Sequence, residues 1–130
     1  MRERSNNPKT VYAIRCRETG RVYIGCSAQF ETRVQQHFSE LARGNKTMRM
    51  SKYNRVDTPW QQDYNKYGRG AFDVYILRGN VPADKAAKVE NKYILEYRAN
   101  ELDFGYNIRP SNAVKIVVTA GAPPLPVLSQ

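Results

Sequence analysis

The sequence is short of acids, of histidine and of cysteine. Its 130 residues carry 12 Asp and Glu against 21 Lys and Arg, a net charge of +9, with one histidine and two cysteines. It also lacks any apolar run near the roughly 18 residues that a membrane span requires, and its mean hydropathy is −0.69. Each shortage removes a class of protein. Two thiols are too few for the disulfide framework of a small secreted domain. Cys16 and Cys26 lack C-x-x-C spacing, and with His37 they offer at most three ligands, which argues against structural zinc. Residues 1–10 are charged and lack the apolar stretch of a secretory signal, so a cytoplasmic location with reduced thiols is expected. The length suits one compact core with a tail rather than two domains. An excess of +9 on such a domain points to a polyanion, nucleic acid first.

What is present reads as alternating strands and helices. Val11 to Cys16 and Arg21 to Cys26 are rich in β-branched and aromatic residues and flank Glu18-Thr19-Gly20, the pattern of an antiparallel hairpin. Ser27 is placed to cap a helix whose Phe30, Val34, Phe38 and Leu41 form one apolar stripe, ending at Gly44. Asn45 to Thr58 is polar, basic and without period, and reads as a mobile loop. Pro59 opens a short helix with Trp60, Tyr64 and Tyr67, stopped by Gly68 and Gly70. Phe72 to Leu77 reads as a third strand. After Gly79-Asn80, Pro82 opens a third helix with Ala86, Val89, Tyr93, Ile94 and Tyr97 inward, and residues 105–108 form an extended piece. The composition shifts at Ser111: Val114 to Val118 could form another strand, and Ala122 to Pro126 is polyproline-like. The expected division is an N-terminal arm over 1–9, one domain over 10–110 and a tail over 111–130.

Three sets of residues carry chemistry. Arg33 and His37 lie one helical turn apart at the border of the apolar stripe, either as solvated surface groups or as parts of a site. Glu90, at about 100° per residue, falls within the inward arc of its helix. A carboxylate there needs a cation, a metal or several donors, so ion pairing with an arginine such as Arg33 and metal ligation both fit. Tyr12 and Tyr23 occupy facing strands, either as packing or as phenols turned into a shared cleft.

Val11-Tyr12, Tyr23-Ile24-Gly25, Arg33 with His37, Lys66-Tyr67-Gly68 before Phe72, Glu90-Asn91-Lys92-Tyr93-Ile94 and Gly105-Tyr106-Asn107 follow in order. Together they resemble the GIY-YIG nuclease superfamily over residues 10–108, in particular its phage and bacterial homing-endonuclease branch. The resemblance implies an α+β fold, a three-stranded antiparallel sheet flanked by helices, and a Mg2+-dependent endonuclease that hydrolyses DNA phosphodiesters with one metal, Mn2+ being able to substitute. It also implies roles. Glu90 would be the sole protein ligand of the metal, Arg33 would hold the scissile phosphate and Tyr12 would activate water. Tyr23 and His37 would line the site, Asn107 would brace it, and Gly25 belongs to the motif. For a phage-encoded protein the compartment would be the bacterial cytoplasm.

The sequence departs from the family pattern at two points. Thr10 stands where the first motif has glycine, and Cys26 stands where some members have lysine, so Lys46 or Lys52 would supply a lysine at the phosphate. Homing members append DNA-binding modules, and the residues beyond Pro110 are too few and too apolar for one. Recognition of double-stranded DNA is therefore expected from Lys46, Arg49, Lys52 and Arg55, from the N-terminal arm, or from a homodimer or a separate recognition partner. The competing classes are a catalytically silent DNA-binding protein of the same fold and a small basic RNA-binding protein.

Overall fold

The computed structural model of the chain describes residues 7–108. Strand β1 (Lys9–Cys16) and strand β2 (Val22–Ser27) form the expected hairpin, and Val11, Tyr12, Ala13 and Ile14 are buried on both sides of β1. A strand buried on both faces belongs in the middle of a sheet. Accordingly β1 lies between β2 and a last strand, Phe72–Val81, in an antiparallel sheet. That last strand is longer than the sequence suggests, because Gly79-Asn80 continues it instead of ending it. Asn80 has φ +58°, a conformation asparagine tolerates better than most residues. The register slips between Val11 and Tyr12, where the partners pass from Arg78 to Ile76.

Helix α1 (Phe30–Ala42) begins at Gln29, with no side-chain cap. Ser27 therefore does not cap it. Its Oγ accepts the Gln29 N–H at 2.9 Å instead, closing the turn between strand and helix. The segment after Gly44 is not a loop: β3 (Thr47–Ser51) and β4 (Asn54–Asp57) make a second, two-stranded sheet joined at Lys52-Tyr53. The polar composition hid a hairpin whose backbone pairing needs no apolar period. Helix α2 (Pro59–Tyr67) has Pro59 in its first turn and Thr58 as its cap, the Gln61 N–H donating to Thr58 Oγ1 at 3.2 Å. In chain order the long strand is then β5 (Phe72–Val81). Pro82 leads into a single 3-10 turn, Ala83–Lys85, before α3 (Ala86–Glu96) begins. The expected tail and the strand over 114–118 lie outside the described residues.

The sheet has a core on each face. On one, Tyr12, Ile14 and Cys16 pack with Phe38 and Leu41 of α1, Trp60 of α2, Phe72 and Tyr106. On the other, Val11, Ala13, Val22 and Ile24 meet Val81, Ala86, Tyr97 and Ala99, with Val89, Tyr93 and Ile94 of α3 against them. Burying each large aliphatic side chain contributes about 1.5–3 kcal/mol. The extended piece runs beside the start of β2, where the Val22 N–H donates to Phe104 O and the Tyr106 N–H to Val22 O. Gly105 is required there, since a β-carbon would sit 2.1 Å from the Ala99 backbone. Among the described residues no helix is long and apolar enough to cross a membrane.

Candidate active site

The hairpin register sets Tyr12 directly opposite Gly25, with Tyr23 two residues earlier on the same face. Both rings fold over the glycine. A β-carbon at Gly25 would lie 2.7 Å from the Tyr12 hydroxyl and 2.8 Å from the Tyr23 ring, so only glycine leaves both phenols in place. Phe30 meets the Tyr12 ring edge to face at 5.3 Å. The Tyr12 hydroxyl lies 3.1 Å from His37 Nε2 and within hydrogen-bonding reach of the Tyr23 hydroxyl. His37 is 2% exposed, which removes the reading of a solvated surface histidine.

The electrostatics follow from burial. Loss of water raises Tyr12 above the usual tyrosine range, with Tyr23, Cys26 and Glu90 adding to the rise and the Arg33 cation opposing it. Tyr23 is raised for the same principal reason. Both are therefore neutral phenols. Burial also pushes the His37 imidazole down to about 3, helped by the cations of Lys46 and Arg33 and opposed by Glu40. It is a neutral ring at physiological pH, and its Nδ1 is buried without a hydrogen-bond partner.

Arg33 and Glu90 approach this cluster from different helices, and both are half-buried. The Arg33 charge is felt at Tyr12, Tyr23 and His37, and the Glu90 charge at both tyrosines. The Cys26 thiol interacts with the Glu90 carboxylate, and burial followed by that carboxylate pushes it up to about 11. Cys26 is thus a half-buried thiol packed against the second core and beside a carboxylate, and it stays protonated. Asn107 clamps the outer edge of β2: its Oδ1 accepts the Ile24 N–H and its Nδ2 donates to Ile24 O, both at 2.8 Å.

Some supporting residues carried no signal in the sequence as members of a site. Trp60 stacks on Tyr23 at 4.6 Å and on Tyr106 at 5.4 Å and lies 5.1 Å from the His37 ring. Asp63, buried, accepts from the Tyr106 hydroxyl at 2.6 Å and pairs with Arg21 at 3.2 Å, tying α2 to the hairpin turn. The four expected DNA-binding cations separate into two groups. Lys46 is largely buried, 2.7 Å from Glu40 and 4.8 Å over the Trp60 ring. Arg49, Lys52 and Arg55 lie out on the exposed β3–β4 hairpin.

The model of the GIY-YIG catalytic domain matches residues 8–107. The chain belongs to the GIY-YIG family. Among solved structures it is similar to the catalytic domain of the intron endonuclease I-TevI carrying a glutamate-to-alanine mutation, at 29% identity and a TM-score of 0.59, over 78% of this chain and 94% of that one. A second structure, of the catalytic domain of the homing endonuclease I-TevI, gives 27% identity and 0.58 over 75% and 95%. A search of curated proteins gave no match. The GIY-YIG fold expected from the six motifs is the fold observed; the charges of Arg33 and Glu90 reach both Tyr12 and Tyr23, and His37 lies beside Tyr12.

Among the described residues no three His, Cys, Asp or Glu side chains group as a metal cage. A lone oxygen donor such as Glu90 fits a hard divalent ion such as Mg2+, which keeps several waters and is often bound through one or two carboxylates together with substrate phosphate.

Proposed function

We propose that this GIY-YIG domain is an endonuclease that hydrolyses phosphodiester bonds of double-stranded DNA with one Mg2+ ion, for which Mn2+ can substitute. The observation that carries the reading is the meeting of two phenols, a neutral imidazole, a guanidinium and a carboxylate beside Gly25, where any β-carbon would crowd both rings. A catalytically silent DNA-binding relative would have no need to keep this set together.

Glu90 would hold the cation. When bound, it would polarise a phosphate oxygen and offset the charge developing there. Arg33 would orient the scissile phosphate with its planar fork of donors and stabilise the same charge. Tyr12 would remove a proton from the attacking water. Since burial keeps Tyr12 a phenol, it can accept that proton only by giving up its own, and His37 Nε2, 3.1 Å away, would be the acceptor in the tautomer that carries its proton on Nδ1. Bound phosphate beside the pair would raise the proton affinity of the imidazole relative to the DNA-free state. Tyr23 would orient the Tyr12 oxygen, and Asn107 would hold β2 in register beneath it. Lys46 would complete the positive lining of the cleft. In the cell the domain would act in the cytoplasm, as a homodimer or with a partner that extends recognition.

The test is plasmid nicking by wild type, Glu90→Ala and Arg33→Ala, with Mg2+ and with chelator. Each substitution is expected to slow nicking by about 10²–10³, and chelator to abolish it. Nicking that survives Glu90→Ala unchanged would remove the metal-ligand assignment. Intact plasmid under all conditions, with DNA still bound, would favour the silent relative.

A further inference from the structure

The β3–β4 hairpin is a separate two-stranded sheet outside the nuclease core. Between residues 46 and 57 it holds four cations and one acid, Asp57. Its register places Arg49 directly opposite Arg55, and like charges facing one another across an antiparallel pair are destabilising. Isolated hairpins are also marginal in water. This hairpin is held at its base, where Lys46 O accepts from the Thr58 N–H and hydroxyl and the Lys46 N–H donates to Gln61 Oε1. The tip carries Tyr53, 89% exposed, and Met50, 61% exposed, with the Lys52 ammonium 5.4 Å over the tyrosine ring. Arg55 donates to Thr47 through Nε and Nη2, which fixes its guanidinium on the face it shares with Arg49. A pair of opposed arginines, one of them held by Thr47, beside an exposed ring makes sense when a polyanion relieves the repulsion.

We propose that the β3–β4 hairpin is a DNA-reading ribbon that enters the major groove, with Arg49 and Arg55 directed at phosphates and guanine edges and Tyr53 at the tip. The major groove, about 12 Å wide, admits a two-stranded β-ribbon, and arginine to guanine is the commonest specific contact there. Five residues at about 3.3 Å each give a reach of roughly 16 Å, enough to enter it. The base of the ribbon is Lys46, which lies over Trp60, and Trp60 stacks on Tyr23. The groove contact would thus set which phosphate meets the tyrosines. This inference rests on the nuclease reading and assigns that activity its means of choosing a site.

The experiment measures binding of a mixed-sequence DNA duplex in chelator, across a salt series, by wild type, Arg49→Gln, Arg55→Gln and Tyr53→Ala, together with methylation interference and plasmid nicking by wild type. Each arginine substitution should weaken binding about tenfold and, where the contact is to phosphate, reduce the salt slope by about 1. Methylation of guanine N7, in the major groove, should interfere with wild-type binding and lose its effect in the arginine variants. Arg49→Gln relieves a like-charge pair, so its melting temperature should equal or exceed that of wild type; if Arg55→Gln unfolds, the Arg49→Gln result decides. Unchanged affinity and slope, interference confined to adenine N3 in the minor groove, or equal affinity for an RNA duplex, whose major groove is too narrow to enter, would each overturn the proposal. Nicking with no dependence of binding on the hairpin overturns the ribbon alone, and hairpin-dependent binding without nicking overturns the nuclease reading alone.

Discussion

Tyr12 and Gly25 face one another across β1 and β2, and the space above the glycine is filled by the phenol of the tyrosine. The two residues are a single steric unit: one supplies the ring, the other the absence that lets the ring lie beside Tyr23, tilted at 49° to it. A methyl group there has nowhere to go, because Tyr12 is itself enclosed by Phe30 and His37.

Gly25→Ala is therefore expected to lower stability by about 1–3 kcal/mol, as overpacking of a filled core does. Nicking should fall by about 10², the cost of displacing a catalytic group by roughly 1 Å. Thermal melting and single-turnover nicking check the two halves. A variant with wild-type melting and wild-type rate would show that the two rings can yield without consequence.

The second expectation concerns acid. His37 is pushed down to about 3 in the fold, against about 6.5 in an unfolded chain. Below pH 6.5 the unfolded chain takes up a proton that the folded one refuses, so stability falls as pH drops from about 6.5 towards 3, by up to about 1.4 kcal/mol per unit. Denaturant titrations at pH 7 and pH 5 should show this loss in wild type and a flatter response in His37→Gln. Because the ring is neutral in the DNA-free protein, kcat/KM for nicking should show no break near pH 6.5. Lys46→Met, which removes one of the cations lowering the imidazole, should raise its titration midpoint, read from the histidine ring signals by NMR.

Asn107 makes the third case. Its amide satisfies both the N–H and the C=O of Ile24, and an unmet backbone group out of water costs about 1–3 kcal/mol. Asn107→Ala should lose about that much and speed hydrogen exchange at the Ile24 amide. Asn107→Asp keeps the acceptor but sets a carboxylate oxygen against Ile24 O, and should lose at least as much as Asn107→Ala. Equal exchange in all three proteins would show that water replaces the side chain without cost.

How far the sequence went depends on what each signal measures. The β1–β2 hairpin and the stripe of α1 were legible because apolar spacing reports directly on burial, and the six ordered motifs gave the fold. Helical angle placed Glu90 only on the inward arc of its helix, and it was the ordered motifs that tied it to the tyrosines. His37 remained undecided, since a border position does not say whether a neighbouring element covers it, and here Trp60 of α2 does. The β3–β4 hairpin was missed because its apolar alternation is only two methionines long, Met48 and Met50 between Thr47, Arg49 and Ser51, and its hold on the domain comes from hydrogen bonds at Thr58 and Gln61 that leave no mark in the spacing. Trp60 and Asp63 were invisible as site supports because their partners, Tyr23, Tyr106 and Arg21, are distant in the chain.

The clamp by Asn107 also has a meaning for the outside of the molecule. A strand at the rim of a sheet offers unpaired backbone groups to any extended peptide that drifts past. At Ile24 those groups are already engaged by an amide that imitates a neighbouring peptide bond, and one step earlier Val22 is engaged by residues 104–106. The edge of β2 beside Tyr12 and Tyr23 is thereby closed to foreign strands at Val22 and Ile24, so crowded molecules can pass close to one another without stitching together there.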